Sequence, residues 1–438
     1  MAELFRSKEN IDPQDPRRRA VLVGVRRPED ARFDESMREL HGLAEACRID
    51  PVGEAVQRLP KPDPVTFLRR GKVEEVRTAA DTLHADLILF NNTLSPSQLA
   101  NLSDQLDLEV LDRTGLILNI FAERARSREA KLQVAYARLQ YMLPRLVGLR
   151  SNLSRQAGTG GSLSSRGSGE QQIELDRRRI EQRMTELRRS LDAIEGERKT
   201  RRKKRSRSGL PLVSLVGYTN AGKSTLLNRM IDVYCPDETK KVNAEDMLFA
   251  TLETSVRRIA PPGIRPFLLS DTVGFIDELP AGLVTAFRST LDEAVHADLI
   301  LQVIDVSDPE YPNQIAVTEN TLADLDAGQV PVIYVMNKAD LLPDLPALPI
   351  CRPGRIWMSA KTGEGLEDLV RMIGDILFAD DITCDFLIPY EKSGLENRIR
   401  QSGVIRSCRY TEDGIVLRAS IDPARFEEVR AFAIPPSE

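Results

Sequence analysis

Between the apolar run Leu210-Pro-Leu-Val-Ser-Leu-Val216 and the helix-forming run Thr225-Leu-Leu-Asn-Arg-Met-Ile231 stands Gly217-Tyr-Thr-Asn-Ala-Gly-Lys-Ser224. Few folds accommodate that order. It is a buried strand, a glycine loop and a helix, the context a phosphate-binding Gly-x-x-x-x-Gly-Lys-Ser loop requires. Gly217 and Gly222 let the backbone turn, so that several N–H groups of the loop, which runs through Tyr218, Thr219, Asn220 and Ala221, face one point. The helix that opens at Lys223, Ser224 and Thr225 adds its positive end to that point. Lys223 is placed to reach the β- and γ-phosphates of a nucleotide, and the Ser224 hydroxyl to hold Mg²⁺. A plain turn would account for the glycines, but not for Lys223 and Ser224 at this spacing.

Three later fragments complete a nucleotide site. Phe267-Leu-Leu-Ser-Asp271 is a strand ending in Asp271-Thr272-Val273-Gly274. Asp271 is expected in the Mg²⁺ shell, and the Gly274 amide against the γ-phosphate. Between the two loops lies Phe249-Ala250-Thr251-Leu252. Thr251 is the candidate to close over Mg²⁺, with Thr239 and Thr254 as competitors. Lys223, Thr251 and Gly274 form the catalytic set, and Ser224, Thr251 and Asp271 the metal set. Pro331-Val-Ile-Tyr-Val-Met336 is a strand leading into Asn337-Lys338-Ala339-Asp340. A carboxylate at Asp340 can accept from the guanine N1 and N2 hydrogens, and adenine would leave it unpaired. Asn337 is expected to brace the loops, and Lys338 to lay its stem on the base. In Ser359-Ala360-Lys361 the Ala360 amide is expected at guanine O6. The ligand is therefore GTP or GDP. Phe275 occupies the position where Ras-type proteins carry the glutamine that orients the attacking water. Phenylalanine cannot do this, so hydrolysis is expected to be slow and to need help; Phe275 could equally pack in the core.

The 438 residues suffice for about three domains. The expected class is a multidomain α/β protein. Residues 1–114 alternate strands and helices, as in a small α/β domain. Residues 115–207 read as a long helical hairpin, with helical periodicity over Leu116–Leu149 and Gln171–Arg207 around a Gly/Ser-rich tip at 151–169 that is expected to be irregular. Residues 208–378 form the P-loop GTPase domain, a mixed sheet flanked by helices, and 379–438 a small α+β domain. No run of eighteen apolar residues suggests a membrane span. The five cysteines, scattered and odd in number, suggest free thiols in a reducing cytoplasm. A net charge of −5 argues against general nucleic-acid binding, yet Arg198–Arg207 is strongly basic, which suits RNA contact and a solvated linker equally well.

Three stretches are more specific than the nucleotide motifs: Asp112-Arg-Thr-Gly-Leu-Ile-Leu-Asn-Ile-Phe121, Lys131-Leu-Gln-Val with Leu139-Gln-Tyr-Met-Leu-Pro-Arg145, and Arg166-Gly-Ser-Gly-Glu-Gln-Gln-Ile-Glu-Leu-Asp-Arg177. With these, nearly the whole chain resembles the bacterial HflX family of ribosome-associated GTPases. The resemblance implies a cytoplasmic factor that binds the large ribosomal subunit and its rRNA, splits stalled ribosomes under stress, and hydrolyses GTP with Mg²⁺ when ribosomes stimulate it; the chain is expected to be monomeric. It also implies that the hairpin tip reaches toward the peptidyl-transferase centre. Ser168, Gln171 and Glu253-Thr254-Ser255 depart from the family pattern at the tip and after Thr251. A rival reading is a non-catalytic, nucleotide-dependent RNA- or protein-binding module, for which Phe275 and the basic run speak.

Overall fold

The computed structural model describes residues 17–156, 163–208, 210–235, 255–272, 274–275, 293–325, 327–343, 345, 347–392 and 394–434. These group into two compact units, one running to Arg198 and one from Lys199.

The first unit opens as a parallel sheet of order β2-β1-β3-β4. Its strands are β1 (Arg18–Arg26), β2 (Ile49–Arg58), β3 (Leu87–Phe90) and β4 (Glu109–Asp112). They alternate with α1 (Phe33–Ala46), α2 (Arg70–Thr82) and α3 (Pro96–Leu106). Such βα alternation forces parallel strands, because each return needs a crossover. β3 is apolar throughout and wholly buried, as a strand covered on both faces must be. At α3 the Ser95 hydroxyl accepts from the Gln98 amide and the Gln98 side chain answers, with Pro96 in the first turn.

The helical pattern expected over Leu116–Leu149 is two helices: α4 (Arg113–Arg124) and α5 (Arg128–Gln156). The break falls at Ala125, whose backbone is extended, and the Ser127 hydroxyl caps α5 by accepting from the Ala130 amide at 3.1 Å. Periodicity carries across so short a break and conceals it. The tip also needs correction. Only 157–162 lie outside the described residues; 151–156 end α5 and 163–169 begin α6 (Leu163–Ser208), both helical. Propagating a formed helix costs little beside nucleating one, and each glycine subtracts only about 1 kcal/mol.

Along α6 one face at helical spacing is turned inward: Leu187 is buried and Ile180, Met184, Leu191 and Ile194 are half-buried. The exposed face carries same-helix ion pairs, Arg177–Glu181 and Arg178–Glu174 among them. Arg198, first of the basic run, pairs with Glu129 of α5 at 3.2 Å and so serves the packing of the hairpin.

In the second unit a seven-stranded sheet has the order β10-β11-β9-β8-β5-β7-β6. Its strands are β5 (Leu212–Val216), β6 (Ser255–Ile259), β7 (Phe267–Asp271), β8 (Leu299–Asp305), β9 (Val332–Asn337), β10 (Ile350–Arg352) and β11 (Arg355–Trp357). β6 and β10 are antiparallel to their neighbours and the rest run parallel. α7 (Lys223–Tyr234), α8 (Tyr311–Asp324) and α9 (Leu366–Leu377) belong to this sheet. Leu226, Leu227, Met230 and Ile231 of α7 and Leu369, Val370 and Ile373 of α9 form one core with the strands.

A second, antiparallel sheet of order β13-β14-β12-β15 follows, from β12 (Ile382–Ile388), β13 (Gly403–Thr411), β14 (Gly414–Ile421) and β15 (Ala433–Ile434), with α10 (Gly394–Ser402) and α11 (Pro423–Val429). The last helix stops at Val429 and tightens into a 3₁₀ turn over Arg430–Phe432, and Ala433 pairs with Phe386. Arg265 ties the two sheets together: its guanidinium meets Asp381 at 2.7 Å and stacks over Phe378.

Candidate functional site

The site lies where the parallel strands β5, β7, β8 and β9 end. In an open parallel sheet this edge exposes the strand–helix loops and the helix N-termini. The loop Gly217–Gly222 bridges β5 and α7. Gly217 (φ +145°) passes so close to β8 that a Cβ would run into the Val303 carbonyl oxygen. Gly222 (φ +96°) lies against Asn337 in the same way. Both positions demand glycine on two counts, left-handed backbone and lack of room.

Lys223 is buried, and its amine donates to the carbonyls of Gly217 at 3.0 Å and Tyr218 at 2.7 Å. Burial lowers its pKa to about 8, against the pull of Asp271. The Ser224 hydroxyl donates to Asp271 Oδ2 at 2.7 Å. The two residues predicted to hold Mg²⁺ are thus brought together from α7 and the end of β7, and an alcohol and a carboxylate are the hard oxygen donors this cation takes. Among the described residues no cluster of three or more His, Cys, Asp or Glu that could hold a metal occurs. A nucleotide's own phosphates supply the remaining ligands at such loops. The Thr272 hydroxyl is committed elsewhere, donating to Leu215 O of β5 at 2.7 Å.

Asn337 ends β9 and is 3% exposed. Its amide donates to Ala221 O at 2.8 Å and its oxygen accepts from the Ala360 N–H at 2.9 Å, so one side chain joins the phosphate loop to the loop after β11. Lys338, in left-handed backbone, pairs with Asp305 at the end of β8 at 2.6 Å. Asp340 is exposed in a short 3₁₀ turn. Ser359 is buried, its hydroxyl accepting from the Thr362 N–H at 3.2 Å, and Lys361 is exposed. Asn220 is exposed with φ +60°.

Phe275 is 2% exposed. Its N–H donates to Gly217 O at 3.1 Å and its carbonyl accepts from the Thr219 N–H at 2.7 Å, a one-residue parallel bridge onto the phosphate loop. The side chain packs inward, as the core alternative had it. Phe249, Ala250, Thr251, Leu252 and Val273 lie outside the described residues, as do the competitors Thr239 and Thr254. Sequence reasoning missed Asp305, although its place after Leu299-Ile-Leu-Gln-Val-Ile304 marks a strand end at the same edge. All five cysteines are free thiols, and burial pushes Cys47 up. No helix among the described residues is long and apolar enough to cross a membrane.

Comparison with known proteins finds matches along most of the chain. Residues 34–122 match the family described as "GTP-binding GTPase N-terminal", 124–205 "GTP-binding GTPase Middle Region", and 212–338 "50S ribosome-binding GTPase". A protein of Caldanaerobacter subterraneus subsp. tengcongensis named GTPase HflX is 40% identical over 437 residues, 99% of this chain and 96% of its own. Those of the same name from Lacrimispora saccharolytica and Escherichia coli (strain K12) are 39% and 37% identical, over 95% and 93% of this chain and 97% and 94% of theirs.

Proposed function

The chain is a GTPase of the HflX family, and on that premise we propose that it acts on the ribosome, as a cytoplasmic, monomeric factor that binds the large subunit and splits stalled particles. The observation that carries this reading is the nucleotide site assembled at one sheet edge by Lys223, Ser224, Asp271 and Asn337, within a segment that matches a family described as 50S ribosome-binding. Lys223 holds the β- and γ-phosphates, the backbone of Gly217–Gly222 lines them, and the Gly274 amide meets the γ-phosphate. Asp340 selects guanine, with Lys338 along the base and Ala360 at O6. Ser224 and Asp271 would hold Mg²⁺, with Thr251 closing over it; the ion supplies neutralising charge to the phosphates. The domain limits at 114/115, 207/208 and 378/379 belong to the same reading, as does a hairpin tip that touches rRNA.

The buried Phe275 leaves hydrolysis without the usual water-orienting glutamine, which favours a reaction stimulated by the bound ribosome. The rival non-catalytic module loses its ground with membership of a GTPase family. The test is phosphate release from GTP by the purified protein, alone and with large ribosomal subunits, beside sucrose-gradient analysis of 70S particles. Stimulated turnover and split particles are expected. Unchanged turnover with intact 70S particles would sink the ribosomal reading and leave the GTPase standing.

A further inference from the structure

Phe275 leaves one task at the site unassigned. Its side chain is buried and apolar, and both its backbone groups are taken up by Gly217 and Thr219. Thr219, its partner in that bridge, is 6% exposed, and its Oγ1 is fully enclosed without a hydrogen-bond partner. Its backbone amide is already committed to Phe275, so the hydroxyl is the donor this residue still has to offer. Buried polar groups are nearly always paired, and an exception in a site that binds charge asks for a ligand.

The surroundings say which ligand. A Cβ built on Gly274 would lie 2.9 Å from Thr219 Cγ2 and 3.1 Å from Lys223 Nζ. The threonine side chain and the lysine amine therefore flank one point beside Gly274. It is Cγ2 that faces this point, and a turn of about 120° at χ1 carries Oγ1 into the place Cγ2 holds, so the hydroxyl reaches that same point from another staggered position. A threonine hydroxyl carries one donor hydrogen and two acceptor lone pairs, enough for a water and a phosphoryl oxygen together.

We infer that Thr219 is a further catalytic residue of GTP hydrolysis: its hydroxyl accepts a hydrogen bond from the attacking water and donates its own to a γ-phosphoryl oxygen. In that step the water oxygen bonds to the γ-phosphorus and the bond to the β,γ-bridging oxygen breaks. GDP leaves with that electron pair, and the proton lost by water ends on the released phosphate. The hydroxyl orients and keeps its proton throughout. The inference rests on the GTP-hydrolysing reading of the site.

Thr219→Val keeps shape and β-branching while deleting the hydroxyl, and Thr219→Ser keeps the hydroxyl alone. Each full-length variant is compared with wild type in single-turnover GTP cleavage, with and without large ribosomal subunits, in GDP affinity by calorimetry, and in retention of GDP with aluminium fluoride. Thr219→Val is expected to cleave about 10²-fold more slowly, the scale of removing one oriented hydrogen-bonding group. Its GDP affinity should stay within about threefold, its capture of the aluminium fluoride complex should be lost, and Thr219→Ser should recover both. A Thr219→Val protein that cleaves as fast as wild type overturns the inference alone. So does one whose cleavage and GDP affinity fall by the same factor, which would make Thr219 a binding residue. A wild-type protein that cleaves no GTP under either condition overturns the hydrolytic reading and the inference with it.

Discussion

Replacing Asn337 by alanine should uncouple the two halves of the nucleotide site. The side chain donates to Ala221 O at 2.8 Å and accepts from the Ala360 N–H at 2.9 Å. Asn337, Ala221 and Ala360 are all buried, so neither orphaned backbone group can turn to water. Two neutral hydrogen bonds contribute only about 1 kcal/mol each, but a buried group left without its partner costs about 1–3 kcal/mol, so the loss is about 2–6 kcal/mol. Loop relaxation recovers part of that. GDP affinity is expected to fall about 10²-fold or more, since each 1.4 kcal/mol is a factor of about ten. Asn337→Asp sharpens the test. One carboxylate oxygen still accepts from Ala360, but the other then faces the Ala221 carbonyl where an amide donated. The loss should be at least as large although the volume is kept. The assay is titration calorimetry with GDP, with circular dichroism confirming the fold. A folded Asn337→Ala protein that binds GDP within about threefold of wild type would refute the reasoning.

Other perturbations separate the parts of the molecule. The Asp112 carboxylate is buried and accepts from Gly115 N at 2.8 Å, Tyr141 Oη at 2.6 Å, Arg145 Nη2 at 2.9 Å and Leu94 N at 3.2 Å. Asp112→Asn sets an NH₂ against donors and should destabilise the root of α5 by about 3 kcal/mol, read as amide exchange over 128–145 about 10²-fold faster with GDP affinity unchanged. Arg265→Ala strands Asp381 and should speed exchange in β12, also at a cost of about 3 kcal/mol; an unchanged rate would show that the second sheet stands without this tie. Lys223, with its pKa held at about 8, is charged below that pH and neutral above it, so GDP affinity should fall as pH rises through it. Stability without nucleotide should move the other way. The unfolded lysine keeps its proton to about pH 10.4, so between these values the unfolded state binds more protons and stability rises with pH. Calorimetry and thermal unfolding at pH 7 and about pH 9.5 should show both trends in wild type and neither in Lys223→Met.

The amino-acid sequence determined the local devices. A glycine loop between strand and helix, a carboxylate closing β7 and Asn337 closing β9 are each written in consecutive residues, because strand ends and turns obey short-range chemistry. The parallel sheet of the first unit was legible in the same way, from βα alternation. The breaks were not. Helical periodicity runs through Ala125 without interruption, and glycine content overstated the irregularity of 151–169. What tertiary structure alone decided is which distant residues share a bond. The partnership of Asp112 with Tyr141 and Arg145 explains two family stretches that read in sequence as unrelated. The pairing of Lys338 with Asp305, and the closing of Phe275 onto the loop at Gly217, follow from strand order. Strand order is set by how the helices cover the sheet, a property of the whole core that no short run of residues carries.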